Sequence, residues 1–483
     1  MAAITHQHVP IQPMTLRWTK LKRIPAILLA GLVGLAGCST GPDYARPTAV
    51  SATAPLMWAG PTLKEGELLG LAQWWLLFGD ANLTQLITAA HANSSTVAEA
   101  YARLAQARGL EGASLAAGQP VLTIQSQPLA RQGSRAGVTA SKSVGIQASW
   151  ELDLFGGIQR EHEASAARVL SAEFQVRAAH VAIAGDVGAA YFARRGCEAQ
   201  LLLNAEDLGA RKAALKLTQA KLDAGVSTKS EVALAAAALA EAESQRLALN
   251  GTCDRSLNQL VALTGLAREE VEQQLGYPNT LKAPKPRVIQ PPAELLSARA
   301  DIRSAESLLM AASAGIGVAQ SDMLPKLTLS GVLTSLTTGP VGGAAVAATT
   351  WNFASGLTAP LLDGGRRRAN LSVAQAKYDE ALASYQGLVR TAVREVEDAL
   401  SKLATAQAQV QHLEQAQAER RKHFETVWTR HTVGAASRLD AEDARRPYIA
   451  AQLATTIAST DLLQAHVALY RALGGGWSET DSE

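Results

Sequence analysis

Residues 143–157 read SVGIQASWELDLFGG, and the alternation inside them decides the fold. Val144, Ile146, Ala148, Trp150, Leu152 and Leu154 alternate without a break with Ser143, Gly145, Gln147, Ser149, Glu151 and Asp153. A period of two marks a β-strand with one apolar and one polar face. Beyond Gly156-Gly157 the pattern changes to that of a helix, from about 160 to 224. At 1.5 Å per residue that helix extends on the order of 100 Å.

The same sequence of events happens twice. Leu154-Phe155-Gly156-Gly157 returns as Leu362-Asp363-Gly364-Gly365, 208 residues later. Lys221-Leu222-Asp223-Ala224-Gly225 returns as Arg430-His431-Thr432-Val433-Gly434, 209 residues later, and Pro120 returns as Pro325 after 205. Near-constant spacing of three landmarks indicates two structural repeats, 78–277 and 293–473, joined by a Pro-rich linker over 278–292. Each repeat reads as a shorter helix, two strands, a long helix, a tight turn and a second long helix. The first helices cover 81–118 and 293–323 and are stopped by Pro120 and Pro325. Weaker alternation marks strands over 121–131, around Leu327 and Leu329, and around Trp351, Phe353 and Leu357. Leu201, Leu208, Leu215 and Leu222 recur every seven residues, as do Ile449, Thr456, Leu463 and Tyr470. Val389, Val393, Val396, Leu400 and Leu403 hold a further stripe. Such stripes, with small residues between, are those of closely packed coiled coils.

Composition narrows the function class. Lys and Arg number 45 against 43 Asp and Glu, a net charge of +2, which excludes a nucleic-acid binder held by a broad basic surface. Apolar residues reach 47% while aromatics are only 5%, as in an Ala-rich bundle of long helices. Residues 1–37 read as a signal peptide: Lys20, Lys22 and Arg23 precede an apolar run, Ile24 to Ala36, too short to span a bilayer. The run ends in Leu35-Ala36-Gly37-Cys38, similar to a bacterial lipoprotein signal with Cys38 as the acylated N-terminus, and Ser39 then implies outer-membrane sorting. The alternative is an ordinary signal beside an unacylated cysteine. Met14 is a candidate start, because the basic region lies far from Met1. Residues 38–77 then form an extended, lipidated segment, and 474–483 a C-terminal tail. No later run of ~18 apolar residues supplies a transmembrane helix.

An exported, anchored chain with four two-faced strands and very long helices poses a closure problem. Trp150 and Trp351 sit near strand ends, as an aromatic belt requires, with Phe353 beside the second. Unpaired strand edges in hydrocarbon cost several kcal/mol per group, so a lipid-facing sheet must close. Four strands do not close, since membrane barrels start at ~8. Three copies give twelve. The competing reading is a soluble antiparallel sheet with one face on a core.

The whole mature chain resembles the TolC-like outer-membrane efflux proteins, in particular the lipoprotein (NodT/OprM-type) branch of multidrug efflux outer-membrane factors. The residues that carry the resemblance begin with Gly41-Pro42-Asp43-Tyr44, Trp74-Trp75 with Phe78 and Asp80, and Trp150 to Gly156. They continue with Asp301 to Glu306, Ile316 to Ala319, Pro360 to Arg366, Glu395 to Leu400 and Leu469 to Trp477. The family pattern usually has Pro where Ala300 stands. The resemblance implies a mainly α protein with a small β part. It forms a homotrimer with a twelve-stranded outer-membrane β-barrel, continued by an α-helical barrel across the periplasm. It further implies that the turns Gly225-Val226-Ser227-Thr228 and Val433-Gly434-Ala435-Ala436-Ser437 meet a periplasmic adaptor protein. Asp440 and Asp443, six and nine residues after Gly434, share one helix face, and the same spacings carry a constricting acidic ring in the family. Against that ring stands a solvated acidic turn, with Glu442 pairing locally to Arg445 or Arg446, and Pro447 is expected to kink the helix one turn on.

Cys197 and Cys253 each lie 28 residues from Gly225 and so stand level in a hairpin turning there. In an oxidising compartment they form a disulfide or remain two buried small residues. Nothing reads as an enzyme: there is no metal-spacing cluster, phosphate loop or nucleophile elbow, and no cofactor beyond the lipid on Cys38. The expected function is a passive outer-membrane duct for small molecules, working with the adaptor and an inner-membrane efflux transporter. A duct for secreted polypeptides and a non-conducting periplasmic lipoprotein are the alternatives.

Overall fold

Pro120 and Pro325 each close a helix and open a strand. The computed structural model describes residues 40–47, 58, 71–134, 137–276, 283–284 and 296–475. The expected signal peptide and Cys38, most of the linker 278–292 and the tail from 476 lie outside the described residues. In chain order the elements are α1 (Ala81–Asn93), α2 (Ser95–Ala117), β1 (Val121–Ser134), β2 (Gly137–Leu152), α3 (Gly157–Asp223), α4 (Lys229–Thr264) and α5 (Arg268–Leu275). The second half follows with α6 (Ala300–Ser321), β3 (Lys326–Pro340), β4 (Val346–Thr358), α7 (Arg366–Thr432) and α8 (Arg438–Ala472). The order β–β–long helix–helix is thus repeated, and α3 and α7 both contain 67 residues.

One expectation needs correction. The helix expected over 81–118 is two helices, because Ser94 takes an extended conformation (ψ 125°) and its hydroxyl accepts from the Val97 amide at 3.5 Å. A Ser that can cap the next helix competes with the helical ladder. Pro447 lies inside α8, which runs through it from Arg438 to Ala472.

The chain divides into two compact units. The first comprises Met1–Pro42, Leu115–Glu161 and Ile316–Leu371 and contains an antiparallel sheet in the order β1-β2-β3-β4. The central pairing, β2 with β3, joins the strands of the two halves, from Thr139 opposite Pro340 to Leu152 opposite Leu327. Both outer edges, on β1 and β4, lack a neighbour among the described residues. Here Thr40 is held tightly: its amide donates to the Phe155 carbonyl at 3.1 Å, and its own carbonyl accepts from Arg160 Nε at 3.0 Å.

The second unit, Asp43–Ser114, His162–Gly315 and Ser372–Glu483, is helical. Its largest core gathers around Trp74, which stacks on Tyr470 with ring centroids 5.3 Å apart, and Phe78, 4.8 Å from Phe192. Asp80 accepts from the Asn82 and Leu83 amides to cap α1 and also accepts from the Tyr191 hydroxyl at 2.5 Å. The Trp74-Trp75, Phe78 and Asp80 pattern is therefore a packing and capping device. The heptad positions Val389, Val396, Leu400, Leu403, Ile449, Leu463 and Tyr470 are buried. No described helix is long and apolar enough to cross a membrane.

Candidate functional site: two helical tips and a two-faced sheet

The tips of the two helical hairpins are built alike. After α3, Gly225 turns the chain with φ 72°, and the Val226 amide donates to the Lys221 carbonyl at 2.9 Å. After α7, Gly434 does so with φ 76°, and the Ala435 amide donates to the Arg430 carbonyl at 2.7 Å. A left-handed residue closing these bonds is the usual stop of a long helix, and Gly adopts it without strain. Each following helix opens with a capping box. Thr228 Oγ1 accepts from the Glu231 amide while Glu231 accepts from the Thr228 amide, and Ser437 and Asp440 exchange the same pair of bonds. Ser227 adds a hydroxyl bond to Glu231. Val226 and Val433 stand exposed at the two tips, with Ala435 and Ala436 beside the second.

Asp440 and Asp443 occupy one face of the first turns of α8 and are both exposed. The Asp440 carboxyl is held below the usual carboxylate range, chiefly by the Ser437 hydroxyl and then by the Ser437 amide. Asp443 pairs with Arg446. Between them, Glu442 is only 1% exposed, so the turn is solvated at its two aspartates and not at Glu442. Its Oε1 meets Arg438 Nη2 at 2.5 Å, one turn back. Arg445 reaches Oε2 only to 4.0 Å, so that oxygen has a charge nearby and no hydrogen bond. Arg438 in turn lies 4.7 Å over the Trp428 ring of α7, and Arg445 approaches Glu206 of α3 at 3.8 Å. Phe424 and Tyr448 stack just above, with centroids 5.8 Å apart. The pairing of Glu442 with Arg445 follows from spacing, whereas the bracing to Trp428 of α7 and Glu206 of α3 does not. The charge of this stem was readable: where α8 has Glu442-Asp443-Ala444-Arg445-Arg446-Pro447, α4 has Ala233-Leu234-Ala235-Ala236-Ala237-Ala238.

Cys197 and Cys253 are brought together as a disulfide between α3 and α4, with Cα atoms 5.6 Å apart. At the matching level of the other hairpin stand Ala406 and Leu462, packed in an apolar cluster.

The sheet has one apolar face throughout its lower rows. Ile124, Ile146, Leu333 and Trp351 lie opposite one another across all four strands. Leu122, Ala148, Gly331 and Phe353 form the next row, and Trp150 and Leu329 the one beyond. The other face carries Thr123, Gln125, Gln147, Thr328, Ser330, Thr334 and Asn352. Trp351, at 80% exposure, and Phe353 project from mid-strand, so a strand-end position holds for Trp150 and not for Trp351. The Trp150 indole donates to the Gly118 carbonyl at 2.9 Å, which fixes that ring at the sheet's end.

Comparison with known proteins agrees with this architecture. A family model described as outer membrane efflux protein matches residues 86–266 and 292–475. Outer membrane protein OprJ of Pseudomonas aeruginosa is 30% identical over 472 residues, covering 94% of this chain and 96% of its own. The solvent efflux pump outer membrane protein SrpC of Pseudomonas putida is 29% identical over 470 residues, covering 95% and 99%. The solved structure of the outer-membrane channel OprN superposes with a TM-score of 0.79 at 29% identity, over 91% of this chain and all of that one. On a family match that extends across both halves, the chain belongs to the outer membrane efflux protein family.

Proposed function

We propose that this chain is the outer-membrane exit duct of a tripartite efflux system, conducting small molecules passively from the periplasm to the exterior. The observation that carries the reading is the sheet: its apolar face is solvent-exposed and, among the described residues, both its edges are open. In lipid that face is satisfied, while the open edges are not, since unpaired backbone groups find no water there. Joining β4 of one copy to β1 of the next removes both edges, and a homotrimer then closes a twelve-stranded barrel with the Gln, Ser and Thr face lining water. Anchorage through a lipid on Cys38 fits the signal-like sequence before it.

The remaining roles follow from the helical tips. Exposed Val226 and Val433, on turns with matching backbone geometry, suit docking of a periplasmic adaptor that presents helical hairpins. Asp440 and Asp443, repeated in three copies, form an acidic constriction that favours cations and resists opening unless the helices splay. Energy comes from an inner-membrane transporter. Relatives named for solvent efflux support small, apolar cargo. The test is reconstitution of purified protein in planar bilayers, with accumulation of such compounds measured in a deletion strain. The reading expects a threefold particle, discrete low conductance, and cargo retained in the deletion strain. A stable single chain that never conducts overturns it, and retention of a polypeptide alone converts it to a secretion duct.

A further inference from the structure

The turn between β4 and α7 differs from its counterpart in one respect that calls for a ligand. In the first half, Gly156 (φ 74°) and Gly157 lead to Arg160, which is 6% exposed and donates through Nε to the Thr40 carbonyl at 3.0 Å. Gly157 packs against Ser321, leaving no space for a Cβ. In the second half, Gly364 (φ 65°) and Gly365 (φ 89°) lead to Arg368 at the matching position, and nothing lies near either glycine. Arg366 and Arg368 are exposed, and no described residue pairs with either guanidinium. Just before them, Leu361 and Leu362 are 96% and 95% exposed.

We propose that this turn holds an anionic phospholipid of the periplasm-facing leaflet, with Leu361 and Leu362 in the acyl layer and Arg366 and Arg368 on the headgroup phosphate. The inference rests on the reading of the apolar sheet face as lipid-facing. Leu361 and Leu362 follow Trp351, Phe353 and Leu357 in the chain, three and four residues past the end of β4, and are as exposed as the apolar face before them. The arginines lie a few residues beyond, at the depth where hydrocarbon gives way to phosphate. Local acids do not compete for them. Asp363 accepts from the Gly365 amide at 3.0 Å, the Arg367 amide at 3.2 Å and Arg367 Nη1 at 3.1 Å, so it caps α7 and engages the one arginine that points back. Asp322 and Glu151 pair with Lys326 at 3.2 and 3.3 Å. That leaves two planar forks suited to bidentate phosphate binding.

Native mass spectrometry of the full-length assembly in detergent, titrated with phosphatidylglycerol or phosphatidylcholine, tests this. Phosphatidylglycerol is expected to be retained in preference, and Arg366→Gln with Arg368→Gln to weaken its binding on the order of tenfold. Arg420→Gln, far along α7, is expected to change nothing, and Leu361→Ser with Leu362→Ser to weaken both lipids. Wild-type retention by the Arg366→Gln, Arg368→Gln variant overturns the proposal. So does its dissociation into single chains, which assigns the arginines to contact between copies. An assembly that conducts but shows no lipid preference overturns this inference alone, whereas one that neither assembles nor conducts overturns the duct reading beneath it.

Discussion

The two helical hairpins have the same turn and nearly the same length, yet they are held by different forces. The α3–α4 hairpin has an Ala-rich stem closed by a disulfide 28 residues from its tip. The α7–α8 hairpin has Ala406 and Leu462 at that level and instead concentrates its bonds near the tip, around buried Glu442. A covalent crosslink limits separation at any pH or salt concentration. A charge network holds a single arrangement and weakens when one member is moved. On the proposed duct reading, the covalently fastened first hairpin acts as a strut and the second as the element that changes position, the one that also carries Asp440 and Asp443.

The sharpest way to break this contrast is to exchange the fastenings. Cys197→Ser with Cys253→Ser is expected to cost about 4 kcal/mol of stability from loop entropy, read as a lower guanidinium midpoint. Resting conductance in bilayers should stay the same, because the proposed constriction is carried by α8 and not by this hairpin. Placing cysteines at Ala406 and Leu462 should then stabilise the second hairpin and suppress opening under oxidising conditions. Opening unaffected by that crosslink would remove the distinction between strut and moving element.

Next in size is the buried carboxylate. Glu442→Ala leaves Arg438 and Arg445 without their shared partner, and because Arg438 is partly exposed the expected loss is about 2 kcal/mol. Resting conductance should rise with it. The reverse change, Ala233→Glu on α4, has Lys229 where α8 has Arg438 but Ala236 where it has Arg445, and should gain little. Smaller again is the constriction itself: Asp440→Ala with Asp443→Ala should raise resting conductance severalfold and reduce cation preference, while Glu231→Ala leaves both alone. Equal effects from the two tips would show that the acidic face of α8 has no special position.

The smallest effect is one the hairpins share. Glu231 and Asp440 both have carboxyls lowered by hydrogen bonds from the residues they cap, Ser227 foremost for Glu231 and Ser437 for Asp440. A lowered carboxyl contributes stability that is fully present above its unfolded value and is lost as pH falls through the folded one. Amide exchange in the first turns of α4 and α8 should therefore quicken together below the usual carboxylate range. Fraying of one tip alone would show that the caps are not equivalent.

Much of this was legible in the chain. The strand at 144–154 shows because alternation is a local property, and the helix stops at Pro120 and Pro325 because a missing amide acts on its own residue. Equal spacing from Gly225 placed Cys197 and Cys253 level, because an antiparallel hairpin keeps count. Ser94 was missed for a related reason: its hydroxyl serves a helix end or a helix interior, and only the bonds it makes decide. Trp351 was placed too near a strand end because β4 begins earlier than its apolar residues show.

The sequence by itself determined the element order, the doubled plan, the two-faced strands and the glycine turns, since each depends on neighbours a few residues away. The tertiary structure alone decided that Glu442 is buried, that Arg160 is covered while Arg368 is open, and that β2 and β3 unite the two halves in one sheet. Burial and pairing depend on residues hundreds of positions apart, such as Arg445 with Glu206, and no local period encodes which distant surface arrives.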